Sequence, residues 1–403
     1  MKIQPPFFHQ KSLLIIGLLM IVLFVISGCA RATPDSTPTK LPDVPIPTPT
    51  ITPTITPTKI SGTWVIRTLD SKSNVGGFFS LAVDGLGNPH IVYFNENNED
   101  LLYNTRKNGS WLSVPMVVTD SSVGLRAGYM ASIVIGTDNM PHISYLALDT
   151  HRVYVSHWDG SQWVHDRVDP MASDLGENLI GMDTSLAVDS DGNLHLVYLD
   201  VDRSYILQYY VNENGRWNQV KGDGLIWVDP SGVTVPIAVY NNIASVAYYD
   251  SGIYYLPLVG EWTPQPIELG SDIGLMPALE FDAQGRPHVI YYDAVNRQLK
   301  HACLIDSHWV IDIIQSDIKI GRYPGIAIDP DGGIHVSYYD KLNGDLLYAY
   351  RAPSESEFES SIVDSQGIVG TFSSIGLNAN GLPMIIYFDD GSKNLKFAEL
   401  ILK

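Results

Sequence analysis

The sequence predicts an all-β fold, a seven-bladed β-propeller of four-stranded blades. Three observations predict it: a motif that returns seven times, a blade-length spacing between its copies, and two chain ends that each lack what the other supplies. The motif is plainest at residues 80–93, SLAVDGLGNPHIVY. It returns at residues 185–198 (SLAVDSDGNLHLVY), 278–291 (ALEFDAQGRPHVIY) and 326–338 (IAIDPDGGIHVSY), with looser copies at 132–145, 237–248 and 374–387. Self-similarity at a fixed period marks solenoids, propellers or arrays.

The position usually held by histidine falls at His90, His142, His195, Ser245, His288, His335 and Met384, at intervals of 52, 53, 50, 43, 47 and 49 residues. A four-stranded blade with its loops has that length. In the first copy SLAVD reads as strand one, HIVYFN as strand two and DLLYNT as strand three. Strand four opens on the Gly109-x-Trp111 signal. The strands are short, alternating or wholly apolar, and are broken by the Gly, Asn and Asp that hairpin turns require. No helical period is sustained past the N-terminal segment. The run GTWVIRTLD at residues 62–70 precedes the first full copy and matches the fourth strands GSWLSVPMVVTD, GSQWVHDRVD and SHWVIDIIQSD. The last copy stops at NLKFAELILK, a third strand. The Trp64 strand is therefore expected to complete the seventh blade and shut the ring, since an open ring leaves an unpaired sheet edge.

Composition agrees with a ring of small sheets. Charged residues are only 17% and tyrosines number 22, which suits extensive packed β surfaces. The formal charge is −19, and loss of the segment bearing Lys2 and Lys11 would make it −21. Nucleic acid and anionic lipid surfaces are poor partners for that charge. Cations, neutral sugars and basic proteins fit it, and a monomeric ring is expected.

Three regions follow, at residues 1–28, 29–60 and 61–403. Lys2 and Lys11 precede an apolar run at residues 13–26, which has the length of a signal-peptide core rather than a membrane span. It ends in Ile26-Ser27-Gly28-Cys29, which resembles the lipobox of bacterial lipoproteins. The resemblance implies cleavage before Cys29, acylation of that cysteine and attachment to the outer side of a membrane, outside the cytoplasm. Residues 33–59 hold eight prolines and nine threonines. Such a segment buries no core and favours an extended stalk of up to about 80 Å. With Cys29 acylated, Cys303 has no partner, and a packed thiol is expected.

Recurring polar residues are expected to be scaffold. A histidine at one repeat position occupies distant, symmetry-related places on a ring, so it does a local job in each blade rather than joining a metal site. The carboxylates closing strand two (Asp200, Asp250, Asp293, Asp340 and Asp389, with Asn95) are expected to cap the next turn. The pairs Asp70/Gly76, Asp120/Gly124, Asp272/Gly274, Asp317/Gly321 and Asp364/Gly370 recur in the strand-four-to-one loops and read the same way. The turns at residues 189–193 and 329–333 resemble the opening of a calcium loop but lack its later carboxylate. No cofactor is expected, and calcium is the one metal left open.

The segment SHWDGSQW at residues 156–163 resembles a degenerate Asp-box of the sialidase-type (BNR) propellers, with Asp159 one place late. Other blades keep only the tryptophan, at Trp111, Trp217, Trp262 and Trp309, and Phe358 replaces it in blade six. The repeats as a whole resemble bacterial surface propellers of that broad class. The sialidase Phe/Tyr-Arg-Ile-Pro signature is missing from the sequence, so the resemblance implies the fold more than the hydrolysis.

Function is sought where the repeat is violated. Loops from strand four to one share a face with loops from strand two to three. On that face the additions are Arg126 and Tyr129 before blade two, His151 and Arg152 within it, Trp227 before blade four, and Arg322 and Tyr323 before blade six. An acidic rim bearing Arg, Tyr and Trp can bind sugars by stacking and hydrogen bonding, or a protein loop. No catalytic motif stands out. The expectation is a non-catalytic surface module for glycans or proteins. The alternative is a glycan-processing hydrolase or lyase, which would place two carboxylates about 5–10 Å apart at the channel mouth.

Overall fold

The computed structural model describes residues 62–124, 126–168, 180–200, 204–221, 226–229, 234–319 and 324–402. The proposed signal segment, Cys29, the stalk, Arg322 and Tyr323 lie outside them. The described chain is all strand and turn, arranged as seven antiparallel sheets that each follow the order one to four predicted from the repeat. Blade one has its fourth-strand position split into Ser110–Trp111 and Met116–Val117, both paired with Asp100–Lys107. In the seventh blade Val369–Leu377, Pro383–Asp389 and Asn394–Leu402 are joined by Gly62–Asp70, with Trp64 opposite Leu400.

The second strands explain the apolar runs in the motif. Pro89–Asn95, Leu194–Asp200, Pro287–Asp293 and Ile334–Asp340 are buried at every position. A strand alternates its side chains between two faces, and here both faces meet another blade. Among the described residues the apolar core accordingly falls into seven clusters, each spanning two neighbouring blades, and one of them joins blade seven to blade one.

Recurring residues stitch each blade to the next. His90 lies between Tyr103 (Nδ1 to Oη, 2.6 Å) and Asp84 (3.4 Å), whose Oδ1 also accepts the Leu86 and Asn88 amides of the first hairpin. His195 with Tyr209 and Asp189, and His335 with Tyr348 and Asp329, repeat the arrangement. The third-strand ring then receives the fourth-strand aromatic of the following blade. Trp163 meets Tyr103 at 5.3 Å, Trp262 meets Tyr209 at 6.1 Å and Trp309 meets Tyr255 at 5.6 Å. Trp64 meets Tyr348 at 5.2 Å, so the N-terminal strand performs the wedge role in blade seven. The histidines and tryptophans of the repeat are thus joinery. Blades two and five depart from it: His142 stacks on His157 at 5.7 Å, while His288 bonds His301 at 2.9 Å and His301 packs on Phe358. Cys303 is a buried thiol beside this pair, and burial pushes its pKa up to about 11. Three of the strand-two carboxylates cap as expected: Asp293, Asp340 and Asp389 accept the amides of Asn296, Leu342 and Ser392.

One scaffold reading needs correction. Gly124, paired above with Gly76, Gly274 and Gly370, is not their structural equivalent; Gly128 is. Gly128, Gly274 and Gly370 have φ of 126°, 106° and 93°. A Cβ at each would lie 2.7, 2.5 and 2.8 Å from Leu101, Ile253 and Leu346 on the third strand of the blade before. Only glycine meets both the left-handed backbone and the close approach.

Candidate functional site

The first strands line a central channel. Five of the seven carry a bulge, a shift of register against strand two, at Val75/Phe79, Ala127/Tyr129, Ile180/Met182, Ile273/Leu275 and Val369/Ser373. Bulges re-aim side chains, and here they turn one repeat position toward the axis. The result is a cavity of about 260 Å³ lined from all seven blades. Phe78, Phe79 and Phe372 contribute rings to it, Met130 a thioether, and Ser80, Ser132, Ser185 and Ser374 hydroxyls. Asp183 is the one charged group among its described lining residues.

Aromatic side chains continue from the cavity toward blade two. Phe78 meets Tyr129 at 5.2 Å between ring centres, and Tyr129 meets Phe94 at 4.4 Å. Tyr129 is half-buried, and burial, reinforced by the nearby Glu99, pushes its hydroxyl pKa up. Arg126 is exposed on the same approach and ion-paired to Asp149, with Nε donating to Oδ1 at 2.7 Å. Its carbonyl accepts the Leu148 amide, which holds the strand-four-to-one loop against the strand-two-to-three loop. His151 sits in that second loop at φ 51°, its amide donating to Leu148, and Arg152 opens the third strand opposite Ala147.

The structure therefore brings Arg126, Tyr129 and His151 to one corner and places Trp227 elsewhere. Trp227 bridges to Ile206 beside the third strand of blade three, at the fourth-strand position, and is 45% exposed. It belongs to the outer part of its blade, whereas Tyr129 belongs to a channel-lining strand.

Four contributors were missed in the sequence: Phe78, Phe94, Asp149 and Asp183. Phe94 hides inside the regular strand-two motif, and Asp149 is ordinary until the fold sets it against Arg126. Phe78 and Asp183 had a signal. Aligning the first strands on Gly76, Gly128, Gly181, Gly274 and Gly370 puts Phe78, Met130, Asp183, Met276 and Phe372 two places later.

No protein-family model matches the chain, and no curated protein does. Solved structures resemble it in fold. They include AofleA from Arthrobotrys oligospora, at TM-score 0.48 and 10% identity over 85% of this chain and 86% of that one. A variant of Aleuria aurantia lectin in complex with Fucα1-6GlcNAc has TM-score 0.49 and 11% identity, covering 73% and 98%. The NanB sialidase from Streptococcus pneumoniae has TM-score 0.44 and 12% identity, covering 83% and 69%. At these identities the likeness is one of fold.

Proposed function

We propose that the protein is a non-catalytic binding module, held outside the cytoplasm by an acylated Cys29 and engaging a glycan or a protein segment at the channel mouth. The observation that supports it is the run of rings from Phe78 through Tyr129 to Phe94, flanked by the Arg126–Asp149 pair. Phe78 and Tyr129, half-buried in front of the buried Phe94, offer an apolar face to a sugar or an aliphatic side chain, while the flanking arginine and carboxylate supply the few directional hydrogen bonds that fix orientation. The lipobox at Cys29 and the Pro/Thr-rich stalk support the anchor and the display.

A glycan array probed with the full-length protein in detergent, with and without calcium, tests the binding. Selective binding is expected, with at least a tenfold loss in Tyr129→Ala and little change in Trp227→Ala. Silence across the array moves the ligand to a protein, and consumption of a bound glycan makes the protein an enzyme. Palmitate labelling of cells tests the anchor: label on the wild type and none on Cys29→Ala is the expected result, and equal label on both refutes it.

A further inference from the structure

The first strands share one repeat position, two residues after their glycine, and of its described occupants all but Met276 line the cavity. These occupants are Phe78, Met130, Asp183, Thr234, Met276 and Phe372. In three blades the backbone there is left-handed, with φ of 51° at Met130, 55° at Asp183 and 54° at Met276. A non-glycine residue held in that region is strained, so the fold pays to aim these side chains. Four occupants are large and apolar and one is a neutral hydroxyl. Asp183 is the departure.

Its carboxylate accepts the Val235 amide at 2.5 Å, across the joint between blades three and four. No second hydrogen bond reaches it from the described residues. Burial pushes its pKa up to about 6. A carboxylate that shares a cavity with apolar rings and has no counter-charge among the described residues is unfavourable, and its neighbours in the ring show that the position accepts Phe or Met. A cation in the channel would remove the penalty. Aromatic rings beside a carboxylate suit an organic ammonium, which meets the ring faces and the negative charge together. A hard metal ion wants six or more oxygens. Among the described residues no group of three His, Cys, Asp or Glu is placed to hold a metal.

We propose that the central channel binds a small organic ammonium group, a protonated amine or a quaternary ammonium head, between Asp183 and the side chains of Phe78, Phe372 and Met130. This site does not depend on the glycan reading: the two share Phe78, but the charge that would hold the ammonium is Asp183, outside the glycan contacts, and no sugar is needed. Thr184 Oγ1 donates to the Met130 carbonyl at 2.6 Å, so residues 130 and 183 stand on adjoining strands at one level of the channel.

The test is titration calorimetry with saturation-transfer NMR on the full-length protein in detergent, using n-butylammonium chloride as the probe and n-butanol as its uncharged counterpart. Saturable butylammonium binding is expected, at least tenfold weaker for butanol and for Asp183→Asn, whose amide oxygen still accepts the Val235 amide. A second variant, Met130→Lys, places a tethered ammonium beside Asp183 and is expected to abolish probe binding while the protein stays folded. Absence of saturable binding to the wild type overturns the proposal. Equal binding by wild type and Asp183→Asn, or by wild type and Met130→Lys, overturns it as well. Loss of glycan binding in Tyr129→Ala bears on the rim alone, so the two readings fail separately.

Discussion

The joints around the ring are fastened in two different ways. From blade seven through blade four, a first-strand serine accepts the backbone amide of the next blade's first strand: Ser374 from Leu81, Ser80 from Ile133, Ser132 from Leu186 and Ser185 from Ile237, at 3.2–3.4 Å. In blades four, five and six that position is Pro236, Ala278 and Gly325, and the staple is missing. Those three joints carry cross-blade ion pairs farther from the axis. Lys300 binds Glu268 at 2.8 Å, Arg351 binds Asp312 at 2.5 Å and Lys396 binds Asp364 at 2.5 Å. The stapled half is pinned at the channel wall, with one ion pair besides, Arg106–Glu399 at 2.7 Å between blades one and seven; the other half is pinned chiefly nearer its rim, with Ser337 and Ser373 bonded at 2.9 Å between blades six and seven. Phe78, Tyr129, Phe94 and Asp183 all lie in the stapled half. A site whose parts come from three blades needs those blades fixed against one another where the ligand sits, and short hydroxyl-to-amide bonds do this without placing further charge at the wall.

Removing a wedge from each half tests that contrast most strongly. Trp64→Ala opens the unstapled joint between blades six and seven, and Trp163→Ala the stapled joint between one and two. Each half-buried indole is expected to cost about 3 kcal/mol, with Trp64→Ala the costlier because no serine-to-amide staple backs its joint. Urea unfolding of both variants checks it, and equal losses would mean that the staples carry none of the load. Trp64 also reports on whether the N-terminal strand holds the ring shut. If Trp64→Ala left stability unchanged, the pairing of Gly62–Asp70 with the last strand would be dispensable.

Smaller effects sharpen the same comparison. Ser132→Ala is expected to cost about 1 kcal/mol, the worth of one such hydrogen bond. Ala278→Ser adds a hydroxyl where the Ile326 amide of blade six could donate to it, and is expected to recover up to about 1 kcal/mol. Thermal melts of the two variants are expected to shift in opposite directions. A destabilised Ala278→Ser would show that the unstapled joints lack the geometry, not merely the side chain.

The blades were legible in the sequence because the second strand is buried on both faces and tolerates little change. Its apolar run, its histidine and its tyrosine therefore return at steady spacing. Trp64 was legible for the same reason, as a wedge required at every joint. The channel wall was harder to read. Loop lengths vary just before the first strands, so Gly124 offered a false register four residues short of Gly128, and the position shared by Phe78, Met130 and Asp183 went unseen. Arg126 and Tyr129 stood out as departures from the repeat, but no local pattern could tell that they face Asp149 and Phe94, or that Trp227 stands apart from them. Those relations are set by the packing of one blade on the next.

Because every apolar cluster is shared between two blades, none of the seven sheets has a core of its own. A chain made in N-to-C order therefore presents Gly62–Asp70 before, and its partner Asn394–Leu402 after, all the other strands of the ring. Until that final segment arrives the emerging repeats keep two raw ends, one hydrophobic face and one bare strand edge, and both are open to the wrong partner. Protection of those ends until closure is thus a need built into the circle itself.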